Sequence, residues 1–182
     1  LYRRSPIPQA VGSREELERK PAYQSEILDF FRDNLLYRTD YRGLTEPAIR
    51  RIREHYLATV SLVDGQIEKI LAALEARGLA GSTLIVFSSD HGDHLGDHGL
   101  PFKATFYESA LMVPLIVAGP GVRAGGRCSA QVNWLDLHAT FLSLAGIEVP
   151  QHVQGRDISP LFAEPEDLLD ARTGEPDPYL SL

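Results

Sequence analysis

The chain has 182 residues, 43% of them hydrophobic, with a formal net charge of −7 and a single cysteine. That length suits one domain with a real core. The acidic balance leaves no electrostatic footprint for nucleic acid or an anionic membrane, one cysteine excludes an internal disulfide framework, and no apolar run approaches the roughly 20 residues that cross a bilayer.

In chain order, residues 1–44 form a polar lead, basic in patches at Arg3, Arg4, Arg38 and Arg42. One amphipathic helix is expected there over Tyr23–Tyr37, with Ile27, Phe30, Phe31 and Leu35 on one face. Residues 45–162 carry the core. Ile49, Ile52, Tyr56, Val60, Val63, Ile67, Ile70 and Leu74 recur at steps of three and four. They predict a helix over Glu46–Ala76, with Thr45 as N-cap, Pro47 in the first turn and Gly78 as the stop. His55 and Asp64 on this helix read as ordinary surface or hydrogen-bonding groups. Leu84–Ser88 is a predicted strand, Thr105–Ser109 a helical turn and Leu115–Ala118 a second strand, ended by Gly119-Pro120-Gly121. Asn133 is placed to cap a helix over Trp134–Ala145, stopped by Gly146. Alternating strands and helices imply an α/β fold with a largely parallel sheet and flanking helices. The tail, 163–182, is rich in Pro, Asp and Glu from Glu164 to Pro178 and reads as loop.

Three of the six histidines fall between Asp90 and His98. The stretch Asp90-His91-Gly92-Asp93-His94-Leu95-Gly96-Asp97-His98-Gly99 comes directly after the first predicted strand. Ligands of open α/β sheets bind outside the carboxyl ends of strands, and carboxylate and imidazole are ligands for divalent metals. Two other readings stand beside a metal site. One is a solvated polar loop. The other is zinc on a helix face, since His91, His94 and His98 are three and four apart. Gly92, Gly96 and Gly99 argue against a helix there, at about 1 kcal/mol each relative to Ala.

The ordered set Asp90-His91-Gly92, Leu95-Gly96-Asp97-His98-Gly99-Leu100, Lys103, Phe106-Tyr107-Glu108 and Val113-Pro114-Leu115-Ile116-Val117 resembles the C-terminal half of the sulfatases. These belong to the alkaline-phosphatase superfamily, with phosphonate monoester hydrolases as close relatives. Tyr56 to Asp64 is similar to the helix before the family's metal strand. Trp134 to Leu142, Leu144-Ala145-Gly146-Ile147 and Gln154-Gly155-Arg156 resemble the family's next helix and loop. The likeness runs from about Thr45 to Phe162. It implies the C-terminal part of an alkaline-phosphatase-like fold. It also implies that Asp90 and His91 complete a divalent metal site, Ca2+ by family habit, with Mn2+ the alternative because of the imidazole. His91 would touch the metal or the leaving oxygen. Lys103 would hold the anionic group being cleaved, as catalytic and substrate-binding residue, with His98 a weaker substrate neighbour.

Two departures qualify the likeness. Many members carry a basic residue where this chain has Met112. The family's nucleophile, a formylglycine made in a Cys/Ser-x-Pro-x-Arg motif, has no counterpart here. Cys128 lies in Gly126-Arg127-Cys128-Ser129-Ala130, Thr45-Glu46-Pro47-Ala48-Ile49-Arg50 has its arginine one place late, and the family's N-terminal metal carboxylates are also missing. The expectation is therefore a C-terminal piece of a longer metal-dependent sulfuric ester hydrolase, with formylglycine upstream. This piece would be inactive alone and prone to self-association through uncovered strand edges and apolar patches. The alternatives are a phosphonate monoester or phosphodiester hydrolase, a non-catalytic sulfatase-like module, and an unrelated zinc hydrolase. The expected partner is a small anionic ester, and no signal that sets the compartment is visible.

Overall fold

The computed structural model describes residues 2, 6–34 and 39–163. The expectations for Arg3, Arg4, Leu35, Tyr37, Arg38 and the tail from Glu164 onward fall outside those residues. The chain divides into two compact units, Leu1–Arg77 with Ser88–Pro114, and Gly78–Phe87 with Leu115–Leu182.

The first unit contains the lead, the long helix and the Asp/His loop. A 3₁₀ segment, Arg14–Arg19, precedes α1, Tyr23–Asp33. Leu17 and Leu28 bury against Leu100, with Ile27, Tyr41 and Tyr107 around them. In α1 the inward stripe is Gln24, Leu28 and Phe31, at steps of four and three, while Phe30 points out and is 53% exposed. This is a correction of the expected face. Leu28 and Phe31 meet the apolar side chains of the later loop, and Phe31 packs edge-on to Tyr41 and Phe102.

Helix α2 spans Glu46–Ala76, as its periodicity predicts, with Thr45 at the cap and Pro47 in the first turn. Gly78 comes next at φ +68, the left-handed turn that favours glycine. No residue of α2 is fully buried, and Tyr56, Val60, Leu62, Val63 and Ile70 are exposed.

In the second unit β1, Ile85–Ser88, reaches the boundary and pairs with β2, Leu115–Ala118. Helix α4, Trp134–Leu144, begins at Asn133, whose side chain accepts from the Leu135 N–H at 2.8 Å while Asp136 accepts from the Asn133 N–H at 2.9 Å. Leu137, Ile158 and Leu161 form the core with Val86, Leu115 and Val132, and α5, Pro160–Ala163, closes it. The helical turn expected at Thr105–Ser109 lies slightly later, as α3, Glu108–Leu111, in the first unit. The largely parallel sheet is not what the described residues show. They are mixed helix with one two-stranded sheet, built from the two short continuous apolar runs of β1 and β2. Among the described residues no helix is long and apolar enough to cross a membrane.

Candidate active site

The Asp90–Gly99 loop is not an α-helix, so the three histidines do not share a face. Its only regular piece is a 3₁₀ turn at Asp97–Gly99. Gly92 is required by close approach. Its N–H donates to the Ala110 carbonyl at 2.8 Å, and a Cβ there would lie 2.0 Å from the Ser109 carbonyl oxygen. The glycine thus lets the Asp90–Gly99 loop approach the backbone of Ser109 and Ala110.

Asp90, His91 and Lys103 converge. Asp90 Oδ1 accepts from the His91 N–H at 3.0 Å, leaving Oδ2 turned toward His91 Nε2 at 3.3 Å. His91 Nδ1 lies 2.8 Å from the Gly92 carbonyl, which can only accept, so Nδ1 carries a proton. The Lys103 ammonium contacts Nε2. An ammonium has donors only, so Nε2 presents its lone pair. Two lone-pair atoms, Asp90 Oδ2 and His91 Nε2, therefore face one cation, supplied here by Lys103. Partial desolvation pulls the Asp90 carboxyl upward, but the backbone N–H bond from His91 and the nearby Lys103 charge hold it below its ordinary value.

That pair fits part of a divalent metal shell. One hard and one borderline donor 3.3 Å apart suit two adjacent corners around an ion with bonds of about 2.3 Å. Among the described residues no third His, Cys, Asp or Glu joins them, so the remaining corners need other ligands.

The other two histidines are committed elsewhere. His94 is 1% exposed, with Nδ1 2.7 Å from Ser109 Oγ and Nε2 2.8 Å from Thr105 Oγ1. Burial pushes its pKa down. His98 Nδ1 lies 3.0 Å from Glu16 Oε2, and its ring stacks on Tyr107 at 3.9 Å. The Glu16 carboxyl is held below its usual range by that bond to His98. The three imidazoles have three separate sets of partners, which removes the geometric basis for a three-histidine zinc site.

Residues 7–147 match the family model described as Sulfatase. The chain belongs to the sulfatase family. It is 38% identical over 119 residues to arylsulfatase K of Xenopus laevis, covering 65% of this chain and 22% of that protein. It is 40% identical over 114 residues to choline-sulfatase of Rhizobium meliloti (strain 1021), covering 62% of this chain and 22% of that one. Among solved structures, the phosphonate monoester hydrolase from Silicibacter pomeroyi superposes with a TM-score of 0.75 at 29% identity, over 90% of this chain and 33% of that one. These neighbours have the alkaline-phosphatase-like fold. The chain spans about a fifth of the length of the curated relatives it matches and about a third of the structural one.

Several residues that hold this loop were invisible to local sequence patterns. Arg53 of α2 pairs with Asp97, and its remaining nitrogens donate to the carbonyls of Leu95 at 3.0 Å, Pro8 at 2.9 Å and Gln9 at 3.1 Å. Asp97 also accepts from the Val11 N–H at 3.0 Å. Glu16, Thr105 and Ser109 complete the set. A helix-surface arginine and a capping glutamate carry no signal for partners 44 and 82 positions away. Cys128 is exposed and Met112 is 70% exposed.

Proposed function

We propose that this chain supplies the metal-and-anion half of a sulfuric ester hydrolase. The single observation that carries the reading is the convergence of Asp90 Oδ2, His91 Nε2 and the Lys103 ammonium. Asp90 and His91 would hold a divalent metal, calcium first and manganese as the alternative. Such a metal, when bound, lowers the pKa of an oxygen nucleophile and screens substrate charge. Lys103 would hold a non-bridging oxygen of the ester, where its positive charge would count for more as negative charge shifts in transfer. His91, fixed by its Nδ1–H bond to Gly92, presents Nε2 in one orientation. His98 lies in the same loop, but its contacts with Glu16 and Tyr107 favour an indirect role in holding substrate.

The nucleophile, a formylglycine, would come from outside these 182 residues, and the 182 residues alone would turn over no ester. The parent fold would carry the larger, mostly parallel sheet. Sulfate esters are the preferred substrates because relatives named arylsulfatase and choline-sulfatase match this chain. The phosphonate monoester hydrolase neighbour, with its TM-score of 0.75, favours phosphonate and phosphate esters as the second reading. Exposed apolar side chains along α2, among them Val60, Leu62 and Ile70, support self-association of the isolated chain. Asp90→Ala in the full-length enzyme is expected to lower bound metal and abolish turnover of aryl sulfate. Unchanged metal content and turnover would refute the assignment, and a higher kcat/KM for an aryl phosphonate than for the aryl sulfate would select the second reading.

A further inference from the structure

Lys103 sits in a backbone that does not hold itself. Phe102 at φ +57 and Ala104 at φ +81 flank it, both non-glycine residues in the left-handed region. Such residues cost roughly 1–2 kcal/mol each and persist where surrounding structure fixes them. The fixing residue here is His94. Its backbone N–H donates to the Phe102 carbonyl at 2.6 Å, on one side of Lys103. Its Nε2 meets the Thr105 hydroxyl at 2.8 Å, on the other side. Its Nδ1 meets the Ser109 hydroxyl at 2.7 Å, at the start of the segment whose Ala110 carbonyl receives Gly92. The imidazole is 1% exposed and edge-on to Tyr107. One buried residue thus ties the loop that carries Asp90 and His91 to both flanks of Lys103.

We propose that His94 is a positioning residue that sets Lys103 against His91 through its bonds to Thr105 and Ser109. The proposal rests on the assignment of Asp90, His91 and Lys103 made above. It also predicts direction. Lys103 touches substrate and His94 does not, so His94 acts only while Lys103 is present.

The test is a double-mutant cycle in the full-length enzyme with an aryl sulfate. His94→Phe keeps a ring and removes both side-chain bonds; it is expected to lower kcat about tenfold or more with KM changed less than about threefold. In the Lys103→Ala background the same change is expected to cost less than about threefold. His94→Gln, whose amide can still meet the Thr105 hydroxyl, is expected to recover most of the lost kcat. Thr105→Val is the second variant if His94→Phe does not fold, with the same expected pattern. Amide hydrogen exchange gives a readout apart from activity: protection of the His94 and Gly92 N–H groups should fall about tenfold in His94→Phe. Equal losses in both backgrounds, or unchanged protection of those amides, overturn the positioning role. An inert Lys103→Ala single variant would instead fail the proposed function itself, and with it any role exerted through Lys103.

Discussion

The Lys103 ammonium donates to Nε2 of His91, twelve residues earlier in the chain, at the atom that also faces Asp90 Oδ2. The contact states what this corner of the molecule is short of. A carboxylate oxygen and an imidazole lone pair side by side repel unless a positive charge joins them. Lysine supplies that charge here.

Removing Lys103 should therefore act on the transition state. In the full-length enzyme Lys103→Ala is expected to cost roughly 2–4 kcal/mol in kcat/KM, the scale of losing one oxyanion donor. Aryl sulfate and aryl phosphonate turnover should fall alike, since the lysine reads charge and not the central atom. A change within about threefold for both substrates would leave Lys103 as a surface residue.

His94 sets a pH dependence of stability. Desolvation by burial is the main cause of its lowered pKa; the neighbouring charges of Asp93 and Asp97 push upward, and His98 pushes down. The unfolded chain then binds a proton that the folded chain refuses. Stability contributed by the neutral ring is present above the unfolded value, about 6.5, and is lost as pH falls toward the folded value. Urea unfolding of native protein and His94→Gln at about pH 7.5 and about pH 5, on either side of that value, measures this. The native protein should lose more stability than the variant over that interval, and equal losses would show that His94 is not responsible.

How much of this was legible in the sequence depends on the range of each interaction. Helix α2 and strand β2 could be read to the residue because their signals are local: periodic apolar side chains, a cap, a proline in the first turn and a closing glycine. Asp90, His91 and Lys103 were marked by their order along the chain, and they do come together. The partners of His94 and His98 were not legible. Thr105, Ser109 and Glu16 are ordinary residues whose meaning comes only from folding, and no spacing rule ties Glu16 to His98. The outward turn of Phe30 was missed for the same reason. The pattern Ile27, Phe30, Phe31 and the pattern Gln24, Leu28, Phe31 are both helical, and the packing partner chooses between them.

Asp136 offers a separate test in the second unit. It is 4% exposed, and its two oxygens accept from the Asn133 N–H and the Arg156 N–H, each at 2.9 Å. Asp136→Asn keeps the shape but turns a donor toward one of two donors. The expected loss is about 1–3 kcal/mol of stability, the cost of one buried unsatisfied group. Thermal unfolding at neutral pH should show a lowered Tm, and an unchanged Tm would mean water replaces the lost bond.

Ala104 offers the opposite sign. It is exposed and held at φ +81, where a Cβ is unfavourable. Ala104→Gly removes that strain while adding some unfolded-state freedom. A net gain of about 0.5–1 kcal/mol is expected, read as a raised midpoint in urea. A lowered midpoint would show that the backbone at this position is not strained.

The packing of Leu17 against Leu100 has a practical consequence for anyone trimming this protein. Composition invites a cut near Leu44, where the polar lead gives way to the periodic helix. Such a cut removes Leu17 and Leu28 from Leu100, Glu16 from His98, and the Pro8 and Gln9 carbonyls from Arg53. It also takes away the Val11 N–H that Asp97 accepts. The shortened molecule would keep Asp90, His91 and Lys103 and lose the footing under their loop. Any version intended for crystallisation or metal titration should therefore begin no later than Ile7.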